Sequence, residues 1–163
     1  MSGKSMATTR QPLIIIILAA IAVIGAALIS QYWGGLQPCE LCLMERWPYY
    51  TAIAIAVLAL VLPTVGSSRT ALLLLALVFV VSAGLGFYHV GVEYHWFRGP
   101  TACTNNGGVP QTLEQLKQLL AHSQVVMCDQ VQWSVGGISL AGWNVIASSL
   151  IAAFAFFAWT RRT

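Results

Sequence analysis

PCELCLMERWPYYTAIAIAVLALVL, residues 38–62, carries a fold signal and a chemical signal together. Its second half is an apolar run from about Trp47 to Leu62. That run is shorter than the ~20 helical residues that cross a bilayer. The helix is therefore expected to start nearer the cysteines, giving a span over about 44–63. Its first half holds Cys39-Glu40-Leu41-Cys42, a C-x-x-C pair at the start of that span. Two thiols so close in sequence cross-link little of a fold, which favours redox or metal chemistry over a staple.

Working outward, three more apolar stretches are long enough to span, at about 12–33, 70–90 and 140–160. The chain of 163 residues is 58% hydrophobic and 8% charged, against about 25% charged in a soluble domain. The expected fold is an all-α integral membrane domain, a single four-helix bundle with two external loops at about 34–46 and 91–139. No basic stripe suggests nucleic acid. Lys4 and Arg10 before the first run also suit a signal peptide. The run is long, however, and Gln31-Tyr32-Trp33 is a poor cleavage site, so it is read as a span.

Charge placement gives an orientation. Lys4, Arg10, Arg69, Arg161 and Arg162 lie at the termini and in the short link between the second and third spans. Glu40, Glu45, Glu93, Glu114 and Asp129 all fall in the other two loops. The positive-inside rule puts both termini in the cytoplasm and all four cysteines on the opposite, oxidising side.

Several residues suit chemistry. Cys42 is expected near a helix start, where free N–H groups favour a thiolate, and Arg46 follows one turn later. Zinc sites show two tight ligand pairs, which this chain lacks, so no metal is expected. Cys103 and Cys128, in the long loop, suit either a structural staple worth ~3 kcal/mol or an exchangeable disulfide. His89, Glu93 and His95 cluster where the third span ends, and His89 and Glu93 have the i,i+4 spacing of a pair. A short helix is expected over Thr112–Leu120, lying in the interface or capping the bundle. Trp33, Trp47, Trp96, Trp133 and Trp143 read as an interfacial belt. Small residues at Ala22, Gly25, Ala26, Ala52, Ala54, Ala56, Ala83, Gly84 and Gly86 suit close helix packing.

The segment Pro38–Arg46 resembles the P-C-x-L-C-x-x-x-R signature of the DsbB family of bacterial disulfide bond formation proteins. Four spans, the second cysteine pair, Gln132-Trp133-Ser134 and Gly142-Trp143-Asn144 extend the resemblance over nearly the whole chain. It implies a bacterial inner-membrane enzyme that reoxidises the thioredoxin-fold oxidase DsbA and passes electrons to a quinone, ubiquinone or menaquinone. Reduced DsbA is unusually stable, so its oxidation needs a strong acceptor. The resemblance implies that Cys103 forms the mixed disulfide with DsbA and that Cys128 resolves it. It also implies that Cys39 exchanges with Cys128, and that Cys42 makes a thiolate–quinone charge-transfer contact. Arg46 then holds a quinone oxygen, with His89 nearby. The alternatives are a vitamin K epoxide reductase-like protein, whose C-x-x-C lies late in the chain, and a scaffold with structural disulfides.

Overall fold

A computed structural model describes residues 3–62, 68–100, 112–114, 117 and 126–161. Among the described residues five helices have both ends defined, in chain order: α1 Gly3–Tyr32, α2 Glu40–Met44, α3 Trp47–Val61, α4 Ser68–Glu93 and α5 Leu140–Thr160. Three described segments are long and apolar enough to cross a membrane: Arg10–Tyr32, Arg69–Glu93 and Leu140–Thr160. The helix α3 has 15 residues, ~22 Å at the usual rise.

The continuous helix expected from about residue 44 is broken at Glu45–Arg46. The cause is Pro48, which occupies the first turn of α3. Its ring would clash with the carbonyl of Met44, four residues back, if the helix ran on. The C-x-x-C therefore sits at its own short helix, α2, with Cys39 as its N-cap.

The four long helices pack in a ring, with α3 between α1 and α4, and α5 against α4 and α1. Leu13, Ile16, Ala20 and Ile24 recur at helical spacing and put one face of α1 into the core. They meet Tyr49, Ala52 and Ala56 of α3, Leu72, Leu75 and Phe79 of α4, and Ile151 and Ala155 of α5. Ile14, Ile15, Leu18 and Ile21 face outward, as do Leu77, Val80 and Val81. An apolar exterior around a small core is what a lipid solvent permits.

Of the small residues expected at contacts, Ala52, Ala56 and Gly86 are buried, whereas Ala22, Ala26 and Ala54 are exposed. Gly86 marks the close approach of α4 to α5: an added Cβ would lie 2.9 Å from Val145 Cγ2 and 3.2 Å from Asn144 Nδ2. At the far end of the same pair, the Arg69 guanidinium stacks 5.4 Å above the Trp159 ring.

At the cysteine end, α4 stops in a left-handed turn. His95 has φ 61°, and Trp96 N–H and Phe97 N–H both donate to the Gly91 carbonyl, at 2.7 and 3.1 Å. His95 is exposed and serves as this cap. The long loop also contains an antiparallel hairpin that sequence reasoning did not expect. It pairs β1 Ser134–Val135 with β2 Ile138–Ser139. Its turn residues Gly136 and Gly137 have φ +62° and +80°, the primed geometry that suits a tight hairpin. Trp143 Nε1 donates to the Val135 carbonyl at 3.1 Å and ties the hairpin to α5. Of the short helix expected at Thr112–Leu120, Leu113, Glu114 and Lys117 are helical and exposed, and most of the rest lies outside the described residues. The five tryptophans of the expected belt are all exposed and lie near the cysteine end.

Gly86→Val should overpack the α4–α5 contact by about 1–3 kcal/mol and lower the unfolding midpoint in detergent. Gly84→Ala, where an added Cβ meets nothing within 4 Å, should leave that midpoint unchanged or slightly raised. Equal effects of the two substitutions would contradict this packing.

Candidate active site

Cys39 caps α2: its backbone is extended, and its Sγ accepts from the Cys42 N–H at 3.2 Å. That geometry folds the two thiols together, with Cys39 Sγ donating to Cys42 Sγ at 2.8 Å. The donated bond lowers the Cys42 thiol to about 7, with burial opposing and the neighbouring His89 assisting. The same bond, with burial, pushes the Cys39 thiol up. The pair is thus divided into a proton-bearing Cys39 and a thiolate-prone Cys42.

Cys39 is 3% exposed and packs with Leu41, Val92 and Cys128, which is 1% exposed. Cys42 lies against the edge of this cluster. The long loop therefore returns one of its cysteines to the C-x-x-C. Cys103 lies outside the described residues.

Behind the thiols runs a chain of hydrogen bonds that crosses the bundle. His89 Nε2 lies 3.6 Å from Cys39 Sγ, and His89 Nδ1 meets Glu45 Oε1 at 2.7 Å. Asn144 Nδ2 donates to Glu45 Oε2 at 2.8 Å, and Tyr49 OH donates to Asn144 Oδ1 at 2.6 Å. Tyr49 OH also meets Ser148 Oγ at 2.8 Å, and Ser148 Oγ meets Ser82 Oγ at 2.9 Å. Every group has a partner, as buried polar atoms require. The pairing of His89 with Glu93, suggested by their spacing, is replaced by His89 with Glu45. Glu45 lies one turn after Leu41 and one turn before Tyr49, both buried, and so faces inward to meet the imidazole.

A cavity of ≈ 400 Å³ opens beside Cys42. Val23, Ile24 and Ala27 form an apolar wall, and Cys42, Arg46, Gln31 and Glu93 also line it. Arg46 Nη1 donates to Gln31 Oε1 at 2.8 Å, so α1 helps to aim the guanidinium. Glu93 Oε2 is buried there without a hydrogen-bond partner.

Cys39 Sγ, Cys42 Sγ and a nitrogen of His89 lie within 4.8 Å of one another, a possible set of metal donors. Two thiolates ~2.3 Å from a tetrahedral zinc would stand about 3.8 Å apart. The observed 2.8 Å is closer than that and suits S–S bond formation better.

The structure brings together Cys39, Cys42, Cys128 and His89, and places Arg46 at the cavity. Sequence reasoning missed Glu45 as a partner, and missed Tyr49, Ser82, Ser148 and Gln31 altogether. The available signal was polarity: hydroxyl and amide side chains inside apolar spans, with Asn144 and Ser148 at i,i+4 spacing.

The family described as Disulfide bond formation protein DsbB matches residues 9–158. Disulfide bond formation protein B 2 of Pseudomonas savastanoi pv. phaseolicola is 30% identical over 155 residues, covering 90% of this chain and 86% of that one. Disulfide bond formation protein B of Aromatoleum aromaticum is 28% identical over 169 residues, covering 98% of both chains. An uncharacterized protein of Rickettsia prowazekii, RP370, is 25% identical over 143 residues, covering 86% of this chain and 82% of its own. No solved structure matches. A paired C-x-x-C at the end of a helical membrane bundle and a family match over most of its length agree: the chain belongs to the DsbB family of membrane disulfide bond formation proteins.

Proposed function

We propose that this protein is a quinone-dependent thiol oxidase of the bacterial inner membrane, reoxidising a DsbA-like thioredoxin-fold partner. The observation that carries the reading is Cys42, a thiol lowered to about 7, lining an apolar-walled cavity together with Arg46. The cavity's size lies within the ~300–1,000 Å³ usual for small-molecule sites. Its wall suits a flat apolar ring, and the Arg46 guanidinium suits a carbonyl oxygen. The unpartnered Glu93 Oε2 would accept from a hydroquinone hydroxyl. When bound, a quinone supplies a two-electron acceptor, matching a dithiol electron for electron.

The residues of the chain then divide the work. The partner's thiolate attacks Cys103 of a Cys103–Cys128 disulfide, which forms the mixed disulfide and releases Cys128 as a thiolate; the partner's second thiol then closes its own disulfide and frees Cys103. Cys128 passes the partner's electrons to Cys39, against which it already packs. Attack on Cys39 Sγ releases Cys42 as the leaving thiolate, and its lowered pKa makes it a good leaving group. Arg46 holds the acceptor beside Cys42, and the apolar wall excludes water.

In this reading α3 is the fourth crossing. It covers Trp47–Val61 and packs between α1 and α4, with α2 at its periplasmic end. Both termini then lie in the cytoplasm and the cysteines in the periplasm. A vitamin K epoxide reductase-like order fits less well, because the C-x-x-C follows the first span.

Three measurements test this reading. Adding ubiquinone or menaquinone to the purified protein should produce a visible charge-transfer absorption that Cys42→Ser abolishes, along with quinone reduction, while helicity is kept. Quinone reduction by Cys42→Ser at the wild-type rate would sink the proposal. Arg46→Ala should raise the apparent quinone KM at least tenfold, the scale of one charge-assisted hydrogen bond; an unchanged KM would remove Arg46 from the site. Alkylation of Cys42 in the reduced protein, read by peptide mass spectrometry, should rise through pH about 7, because the thiolate is the nucleophile. A rise centred near 9 would show that the Cys39 bond does not form in solution.

A further inference from the structure

The proposed electron path uses the two sulfurs and Arg46. It gives no role to the polar chain that continues behind His89 into the membrane. That chain is costly: an amide, a phenol and two hydroxyls lie among apolar helices, and each needs a partner there. Its links join four separate elements, Ser82 coming from α4. Glu45 comes from the turn before α3, Tyr49 from α3 itself, and Asn144 and Ser148 from α5. Asn144 is the branch point. Its amide nitrogen binds Glu45 Oε2, and its oxygen accepts from Tyr49 at 2.6 Å and from Ser148 at 3.3 Å. These bonds fix which end of the amide faces Glu45, because an ionised carboxylate only accepts and the Tyr49 hydroxyl can donate to the oxygen at the other end.

We propose that Asn144 is a positioning residue that holds Glu45, and through it His89, so that His89 Nε2 exchanges a proton with the Cys39 thiol. Building on the thiol-oxidase reading, it adds the proton path to the electron path. When the reduced pair is reoxidised, the Cys39 S–H bond breaks, an N–H bond forms at Nε2, and the electron pair stays on sulfur; this thiolate then forms the S–S bond to Cys42, and the pair's two electrons pass to the quinone-class acceptor of the thiol-oxidase reading. When Cys39 later leaves a disulfide as a thiolate, the same proton returns to it. Glu45 accepts from Nδ1–H throughout, and no net proton is consumed. The logic is that of a nucleophile, a base and an orienting carboxylate, with one further residue fixing the carboxylate.

The groups that act on this pair electrostatically are known. Glu45 lies behind His89, Glu93 is on the same helix, and Cys42 and Cys128 face the thiols. Glu45, Glu93 and Cys128 are common to all the variants compared below, and Cys42 is replaced by Ser in every one, so a shift on changing Asn144 isolates its own contribution.

The test uses the full chain in detergent, reduced, in a Cys42→Ser background, with no quinone and no partner protein. Iodoacetamide labelling of Cys39 is followed against pH by peptide mass spectrometry. Asn144→Leu should cut the labelling rate of Cys39 at pH 7 about tenfold and move the profile to higher pH by about one unit. Tyr49→Phe, which keeps the ring against Phe79, should act in the same direction by a few-fold. It also keeps the test open if Asn144→Leu does not fold. With His89→Phe added, either substitution should become silent, since coupled residues are non-additive. An unchanged profile, or the same loss with His89 already replaced, would overturn the proposal. Because neither quinone nor partner is present, such a failure would leave the thiol-oxidase reading standing. Failure of that reading in the quinone assays would likewise leave this result intact.

Discussion

The contact between His89 and Glu45, 2.7 Å long and almost wholly buried, joins the third long helix to the turn that carries the cysteines. Breaking one partner of a buried pair strands the other and costs ~3–5 kcal/mol. The contact therefore does more than decorate the site. It fixes the short helix α2 against α4, and this brings Cys39 beside Val92 and Cys128. It also points His89 Nε2 at the Cys39 sulfur. The cavity beside Cys42 depends on the same placement, since Glu45 and Arg46 are consecutive and both line it.

That contact follows from helical spacing carried across the α2–α3 junction. Glu45 lies four residues after Leu41 and four before Tyr49, both buried, so it shares their inward face. Glu45 and Arg46 keep right-handed helical backbone at the junction that Pro48 marks. One then meets the imidazole, and the other reaches Gln31 on α1. A single imino acid thus separates a spanning segment from a redox segment, at the cost of a few backbone hydrogen bonds.

This explains what could be read from the chain and what could not. Cys39, Cys42 and Arg46 are local, within one turn or two, and their chemistry was visible in PCELCLMER. The apolar runs showed a membrane bundle, because hydropathy is a property of short windows. The pairing of His89 was misassigned to Glu93 because i,i+4 spacing was the only geometry in view. Its actual partner lies 44 positions away, and Asn144 meets Glu45 across 99. Such contacts follow from how helices rotate about their axes in the ring. A glycine at 86, which lets α5 approach α4 closely, does as much to set that rotation as the polar residues do. The small hairpin escaped notice for another reason: two-residue strands have no periodicity to detect, and only Gly136-Gly137 marked the turn.

The two sulfurs of the C-x-x-C face different surroundings, and this asymmetry has a consequence for direction. Cys39 is buried against Cys128 and His89, so it meets protein thiols and a proton acceptor. Cys42 is the less buried of the two and borders the apolar-walled cavity. Cys128 of the long loop packs against Cys39, whereas Cys42 is the sulfur whose thiolate is favoured. The hydrogen bond from Cys39 biases the pair the same way, raising one thiol and lowering the other. Packing and electrostatics therefore mark the same division: Cys39 is the protein-facing, proton-bearing sulfur and Cys42 the cavity-facing, thiolate-prone one.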